Sequence, residues 1–490
     1  MIVRWLVPAA AVVSGCACSF APHYARPATQ PPPATYQEED GWTRAQPADE
    51  RSRGPWWEIY GDPQLNALED RVSVSNQNLK AAFARLQQAR AQTRVERSYL
   101  FPTLTAGPRA LRERESINAP TFSPTKTPTE NDFTLNADIS YELDVWGRIR
   151  NLVAGARASE QASAADLATL DLSLHAELAS DYFTLRSEDT QQELLDRTAA
   201  EYQSALELTQ HLFDGGAAAE ADLDQAQAQV QTALTQAADN RLRRAQTEHA
   251  IAVLLGELPS SFRVEPRPLA VTVAPPAIDP GLPSQLLERR PDVAAAERRV
   301  AAANSQIGVA RAAYFPVFSL AGLLGFESTK TSNLLTAPSR VWSVGPEGVL
   351  TVFDGGLHRA QSAQAHAAYD EQVADYRNTV LTAYQDVEDN IAALRQLQQE
   401  SVTQAAAVAA TTGALEQAQA RYAGGIVTYL EVVVAENAAL SARLSAADIQ
   451  LRRMVASVQL VKSLGGGWRA DAPAGTATVP GQNRPRDGDH

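Results

Sequence analysis

Two stretches of 67 residues, Gly147 to Phe213 and Leu357 to Ala423, contain no proline and are rich in Ala, Leu, Gln, Glu and Arg. As unbroken α-helices each would run about 100 Å at ~1.5 Å per residue, which no compact globular domain accommodates. Their apolar stripes are thin. Leu167, Leu170, Leu174, Leu178 and Leu185 are spaced 3, 4, 4 and 7 apart, as in a coiled-coil seam. Such helices must pack on neighbours along their length while Gln, Asp, Glu, Ser and Ala face water.

The two runs belong to a longer duplication. The segment from Asn78-Leu79 to Tyr99-Leu100-Phe101-Pro102-Thr103-Leu104 superimposes on Asp292-Val293 to Tyr314-Phe315-Pro316-Val317-Phe318 at an offset of 214. Farther on, Phe213, Gly215-Gly216, Asp222-Leu223 and Leu255-Gly256 fall on Tyr422, Gly424-Gly425, Glu431-Val432 and Leu464-Gly465 at an offset of 209. Two copies of one unit account for 490 residues without three separate cores. The predicted organisation is a signal peptide over 1–15, a lipidated tether over 16–62, a first repeat over 63–282, a second over 283–466, and a disordered tail over 467–490. The first repeat holds strands near 101–114 and 133–146, a long helix over 147–213 and a helix over 219–256. In the second the strands fall near 315–328 and 341–353, and the helices over 357–423 and 428–464. Pro102 ends the helix that begins near Asn76, because proline and the residue before it disfavour helix.

The strands decide where this chain works. Phe133, Leu135, Ala137, Ile139, Tyr141, Leu143 and Val145 alternate without error with Thr134, Asn136, Asp138, Ser140, Glu142 and Asp144, strict period two with one apolar and one polar face. A soluble sandwich would bury the apolar face on a second sheet, which this chain has too few strands to build. In an outer-membrane barrel that face meets lipid and the acidic face a wet lumen, with aromatics such as Phe133, Tyr141 and Trp146 near the interfaces. The other apolar rows are Leu104, Ala106, Pro108, Ala110; Phe318, Leu320, Gly322, Leu324, Phe326; and Trp342, Val344, Leu350, Val352. Gly and Pro weaken them on propensity, and their place in the repeat supports them. Four strands cannot close a barrel, since the smallest need about 8 and an open edge in lipid leaves backbone groups unsatisfied. The chain must oligomerise; two, three or four copies all satisfy the count.

Composition narrows the partners. With 43 basic and 57 acidic residues the net charge is −14, and only Lys80, Lys126, Lys330 and Lys462 are lysines, which disfavours nucleic acid. No apolar run of 18 residues lies beyond the N-terminus, which excludes an α-helical span there. The N-terminus itself reads as an export signal, Arg4 followed by the apolar run from Trp5 to Val13. Val13-Ser14-Gly15-Cys16 resembles a bacterial lipobox, in which cleavage precedes Cys16 and its thiol takes a diacylglycerol. Pro27, Pro31, Pro32 and Pro33 then make a stiff leader. Apart from that lipid no cofactor is expected, and no enzyme: phosphate-binding loops, metalloprotease pairs and nucleophile elbows are all missing from the sequence. His175, His211, His249, His358 and His366 are scattered and expected on helix surfaces, and Met1 and Met454 offer no thioether path for soft metals.

Taken together, several motifs resemble one family. They are Pro22-His23-Tyr24-Ala25-Arg26-Pro27 after Cys16, Trp56-Trp57-Glu58-Ile59-Tyr60-Gly61-Asp62-Pro63, Glu142-Leu143-Asp144-Val145-Trp146-Gly147-Arg148, Leu287-Glu288-Arg289-Arg290-Pro291-Asp292-Val293, Phe353-Asp354-Gly355-Gly356 and Arg421-Tyr422-Ala423-Gly424-Gly425. From Cys16 to Gly466 the chain is similar to the TolC/OprM-type outer-membrane channels, lipoprotein branch. The resemblance implies a mainly α fold with a membrane β-barrel: a homotrimer whose 12-stranded barrel continues as an α-helical barrel across the periplasm. It implies the exit duct of an inner-membrane pump, docked through a periplasmic adaptor protein. The alternatives are a duct for type I protein secretion and a structural envelope lipoprotein without a pore.

The site residues expected from this reading are a wall, a tip and a gate. Asn136, Asp138, Ser140 and Glu142 line the lumen. The turns at the ends of the 67-residue helices form the periplasmic tip, where the resemblance assigns Gly216, Gly425, Ile426 and Thr428 to adaptor docking. Asp222, Asp224, Leu430, Glu431 and Glu436 form the gate, acidic rings around an apolar constriction that prefers cations. Val434 and Asn437 stand where efflux relatives often carry an Asp and an Arg, so an ion-pair latch is not expected there.

Overall fold

The computed structural model describes residues 19–31, 54–114, 116–118, 129–270, 272–278 and 290–466. The expected signal peptide, Cys16, Pro32 and Pro33, most of the loop after Pro120 and the tail from 467 lie outside the described residues. The helices are α1 (Pro63–Ser75), α2 (Gln77–Ser98), α3 (Arg148–Asp214), α4 (Glu220–Leu254), α5 (Pro291–Ala312), α6 (Leu357–Ala423) and α7 (Tyr429–Ser463). The strands are β1 (Thr103–Arg114), β2 (Thr129–Leu143), β3 (Val317–Ser328) and β4 (Arg340–Val349). Both α3 and α6 run 67 residues without a break. No helix among the described residues is long and apolar enough to cross a membrane. The chain divides into two units, one of residues up to Ala28, Arg85–Ser163 and Ala295–Arg377, the other of the remainder.

The first unit holds one antiparallel sheet in the order β1-β2-β3-β4. β2 ends at Leu143, three residues short of the expected Trp146, because Asp144 turns to cap the next helix. Its carboxylate accepts from the backbone N–H groups of Ile149 and Arg150 at 3.0 and 2.9 Å. Trp146, expected near the end of the strand, lies past it and donates its indole N–H to the Pro316 carbonyl at 2.7 Å. Its ring stacks on Phe315 and Phe20 with centroids at 4.9 and 5.9 Å. The segment after residue 19 is neither helix nor strand and is strapped down by side chains. Phe20 lies parallel on Phe315 at 4.5 Å, Tyr24 and Arg26 both bond Glu297, and Asn304 donates to the Pro22 carbonyl at 2.9 Å.

The second unit is centred on an apolar core that joins Leu65 and Val72 of α1, Leu178 and Tyr182 of α3, Ile251 of α4 and Val458 of α7. Two of the quoted motifs find their physical reason here. One oxygen of Asp62 accepts from the N–H groups of Gln64 and Leu65 at the start of α1, and the other accepts from the Tyr182 hydroxyl at 2.7 Å. Arg290, just before α5, holds Asp292 at 2.7 Å, Asp386 of α6 at 3.0 Å and the Ser463 carbonyl of α7 at 3.2 Å, so one guanidinium ties three helix segments.

The expectation that His175 sits on a helix surface is overturned. It is 3 % exposed, with Nδ1 at 2.6 Å from Glu69, Nε2 at 3.1 Å from the Ser73 hydroxyl, and its ring stacked on Trp57 at 4.4 Å. The polar neighbours of α3 in the sequence gave no hint of a partner 106 residues away.

Candidate functional site

In the sheet, the register carries the alternation of β2 across all four strands. Ile139 stands opposite Leu104 of β1 and Gly322 of β3, and Gly322 opposite Val344 of β4. Paired residues share a face, so the four apolar rows form one continuous apolar surface. It is unburied: Leu104, Leu324, Trp342 and Val344 are all more than half exposed, a contiguous apolar patch of the kind that marks contact with a membrane or another protein. Two glycines of β3, Gly322 in the apolar row and Gly325 on the opposite face, are steric devices. A Cβ on Gly322 would meet Cγ2 of Ile139 at 2.8 Å, and one on Gly325 would meet Oδ1 of Asn136 at 2.2 Å. Ile139 and Asn136 of β2 thus each cross over a glycine of β3.

The opposite face is polar. Thr134, Asn136, Asp138, Ser140 and Glu142 share it with Thr105 and Arg109 of β1, Glu327 and Ser319 of β3, and Ser343 and Glu347 of β4. It forms a trough lined by Arg109, Asp132, Asn136, Asp138 and Glu327. Glu142 is held by a bidentate pair to Arg148 at 2.8 and 2.6 Å.

In the second unit, the two helical turns are built alike. Gly216 and Gly425 have φ of +72° and +70°, which favours glycine, and each closes a Schellman cap. Ala217 N–H donates to the Leu212 carbonyl at 2.7 Å, and Ile426 N–H to Arg421 at 2.9 Å. Ile426, Thr428 and Leu430 project beside the second turn, all exposed. Behind them Tyr429, Val432 and Val433 pack on Ala226 and Ala418, with Leu206 of α3 against the same cluster, so four helices meet under the turns.

The acidic residues separate into two groups. Asp222 accepts from the Ala219 N–H at 3.2 Å, Asp224 is exposed, and Glu431 pairs at 3.4 Å with Arg421, both about half exposed. Glu436 stands apart from these. It is 7 % exposed, with Oε2 lacking a partner, and Tyr429 beside it has an unpartnered hydroxyl. Burial pushes its carboxyl up to about 7, Gln419 opposing and Glu201 adding to the shift. Around neutrality it is therefore partly protonated, and it contributes an internal polar contact where a surface charge was expected. The sequence signal for this is the spacing of α7, which puts Glu436 on the same helix face as Tyr429, Val432 and Val433.

A sheet with one face fit for lipid and one for water, carried on helices of this length, defines an outer-membrane channel protein. The chain belongs to the outer membrane efflux protein family, whose model matches residues 68–257 and 282–466. It is 32 % identical over 457 residues to the outer membrane protein OprJ of Pseudomonas aeruginosa, covering 92 % of this chain and 93 % of that one. It is 28 % identical to the cation efflux system protein CusC of Escherichia coli, covering 95 % and 99 %. The solved outer-membrane channel OprN superimposes with a TM-score of 0.83 at 32 % identity, covering 92 % of this chain and all of that one. The mainly α fold with a membrane β-sheet, the outer-membrane location and the efflux role expected from the sequence are those of this family.

Proposed function

We propose that three copies of this chain close a twelve-stranded barrel and a helical barrel below it. This duct passively conducts small molecules delivered by an inner-membrane pump through a periplasmic adaptor. The observation that carries the reading is the sheet itself, two-faced and ending in two unpaired edges, β1 and β4, which lipid does not tolerate. The duct performs no catalysis. Relatives are named for antibiotic, toluene, solvent and cation efflux, a spread of cargo that supports selection by the pump rather than by the duct.

The exposed turns at Gly216 and Gly425, with Ile426 and Thr428, are the adaptor-docking surface in this reading. The gate is a ring of Leu430 with Asp222, Asp224 and Glu431. Because Arg421 counters Glu431, neutralising Glu431 alone leaves a cationic ring. Asp222→Asn with Glu431→Gln is therefore expected to lower the cation-to-anion permeability ratio toward unity in planar bilayers, without closing the channel. An unchanged reversal potential under a salt gradient removes the acidic ring from the reading, and absence of any conductance removes the duct.

Cys16 carries the lipid. Phe20 is fixed on Phe315, two residues before β3, and four extended residues reach at most ~14 Å, so an acyl chain on Cys16 enters the membrane that the apolar face occupies. Metabolic labelling with a palmitate analogue is expected to mark the wild type and leave Cys16→Ala unmarked; equal labelling of both excludes this anchor.

A further inference from the structure

The segment after residue 19 lies on only one of the two repeats. Three residues of α5 receive it. Asn304 donates to the Pro22 carbonyl at 2.9 Å, Arg311 reaches the Phe20 carbonyl at 3.5 Å, and Gly308 leaves the space between them, where a Cβ would meet that of Ala21 at 2.7 Å. Spaced four and three apart, they share one face of the helix. Moved back by the offset of 214, the same positions on α2 are Arg90, Arg94 and Arg97. Each residue that holds this leader in the second repeat is an arginine in the first.

Only one of these arginines is spoken for. Arg90 pairs with Glu160 of α3 at 3.8 Å. Arg94 and Arg97 are exposed, and among the described residues neither has an ion-pair partner within the chain. The nearby Glu96 is itself engaged, accepting from the Gln92 amide at 2.7 Å. A second copy's leader does not suit the stripe, because residues 19–31 carry Arg26 and no acid. The setting suits lipid. From Leu104 on the apolar face the chain leads back through Phe101 and Tyr99, 63 % and 52 % exposed, to Arg97 and Arg94. Apolar, aromatic, then cationic is the order of hydrocarbon, interface and phosphate across one leaflet.

We propose that Arg94 and Arg97 hold the phosphate of an anionic phospholipid of the periplasmic leaflet, in the place that the leader fills on the other repeat. Two guanidiniums one turn apart present several N–H donors to one phosphate, which suits charge-assisted, multidentate binding. That the stripe faces the membrane rather than the duct rests on the Cys16 anchor above: the leader reaches lipid, so the face it lies on is the outer one, and the duplication gives α2 the same orientation.

Native mass spectrometry of the full-length protein tests this, with dioleoyl phosphatidylglycerol, dioleoyl phosphatidylcholine or glycerol phosphate added in turn to the detergent. The expected result is one phosphatidylglycerol retained per copy, with phosphatidylcholine and glycerol phosphate lost. Arg94→Gln and Arg97→Gln are each expected to weaken retention about fivefold, and Arg94→Lys with Arg97→Lys to keep most of it. Arg85→Gln, nine residues before Arg94 and so half a turn around the same helix, is expected to change nothing. Equal retention of the two lipids, or retention of neither, overturns the anionic site. Glycerol phosphate held as tightly as phosphatidylglycerol makes the stripe a free-phosphate site and overturns the lipid. Equal weakening by Arg85→Gln overturns the placement on this face. The same spectra weigh the chain, so a mass without acyl groups overturns the Cys16 anchor separately, whatever the count of bound phospholipid.

Discussion

Replacing His175 by alanine is expected to cost the folded protein about 3–5 kcal/mol, the usual penalty for stripping one partner from a buried ion pair. The side chains of His175 and Glu69 are 3 % and 0 % exposed, so water cannot take over the lost bond. Oε1 of Glu69 already has no partner, and the substitution leaves the whole carboxyl orphaned beneath Trp57. The pair also fixes the sign of a pH dependence. Burial alone would lower the pKa of His175, but hydrogen bonds to Asp171 and Glu69 outweigh it and raise it to about 9, while burial pushes Glu69 up to about 7. Between its ordinary 6.5 and about 9, the folded protein keeps a proton on His175 that the unfolded chain releases. This contribution is therefore complete below about 6.5 and is lost as the pH rises to about 9. Urea unfolding in detergent across that window is expected to show the decline in wild type and to lack it in His175→Ala. A variant as stable as wild type at pH 6 would mean that the pair holds nothing together.

The second large effect concerns two neighbours on β2. Ile139→Arg places a guanidinium on the apolar face, where a cation near the bilayer midplane costs about 2–4 kcal/mol in each copy. Ser140→Arg places the same group on the polar face and is expected to leave folding into lipid nearly unchanged. Insertion into phosphatidylcholine vesicles, followed by denaturant titration, separates the two. Equal penalties, or the larger one at Ser140, would reverse the assignment of lipid and lumen.

The fold was readable where physics is periodic. The helix expected over 357–423 is observed at those bounds, and that expected over 147–213 is shifted by one residue at each end. The alternation from Phe133 predicts which side of β2 is apolar, and the register extends it to strands whose own signal is weak. That weakness has a cause: Gly322 reads as a strand breaker, yet it is empty where Ile139 needs room. Features that depend on contact between distant residues were not readable. His175 looks like any polar residue of a long helix until α1 brings Glu69 against it, and Asp144 looks like one more residue of a strand until it caps α3. The acidic cluster near Leu430 was readable as composition, but only the packing under Tyr429 separates the solvated Asp222 and Glu431 from the enclosed Glu436.

The duplicated halves are not equal at their turns. Arg421 and Glu431 bridge the second one, whereas the corresponding positions in the first are Leu212 and Asp222. Repeated around a closed assembly, the scaffold offers six similar knuckles but only three charged clasps, alternating with three uncompensated anions. A protein gripping this end would meet a surface of threefold electrostatic rhythm on a frame of nearly sixfold shape. Rotating the grip by one knuckle would set its charges against the wrong neighbours.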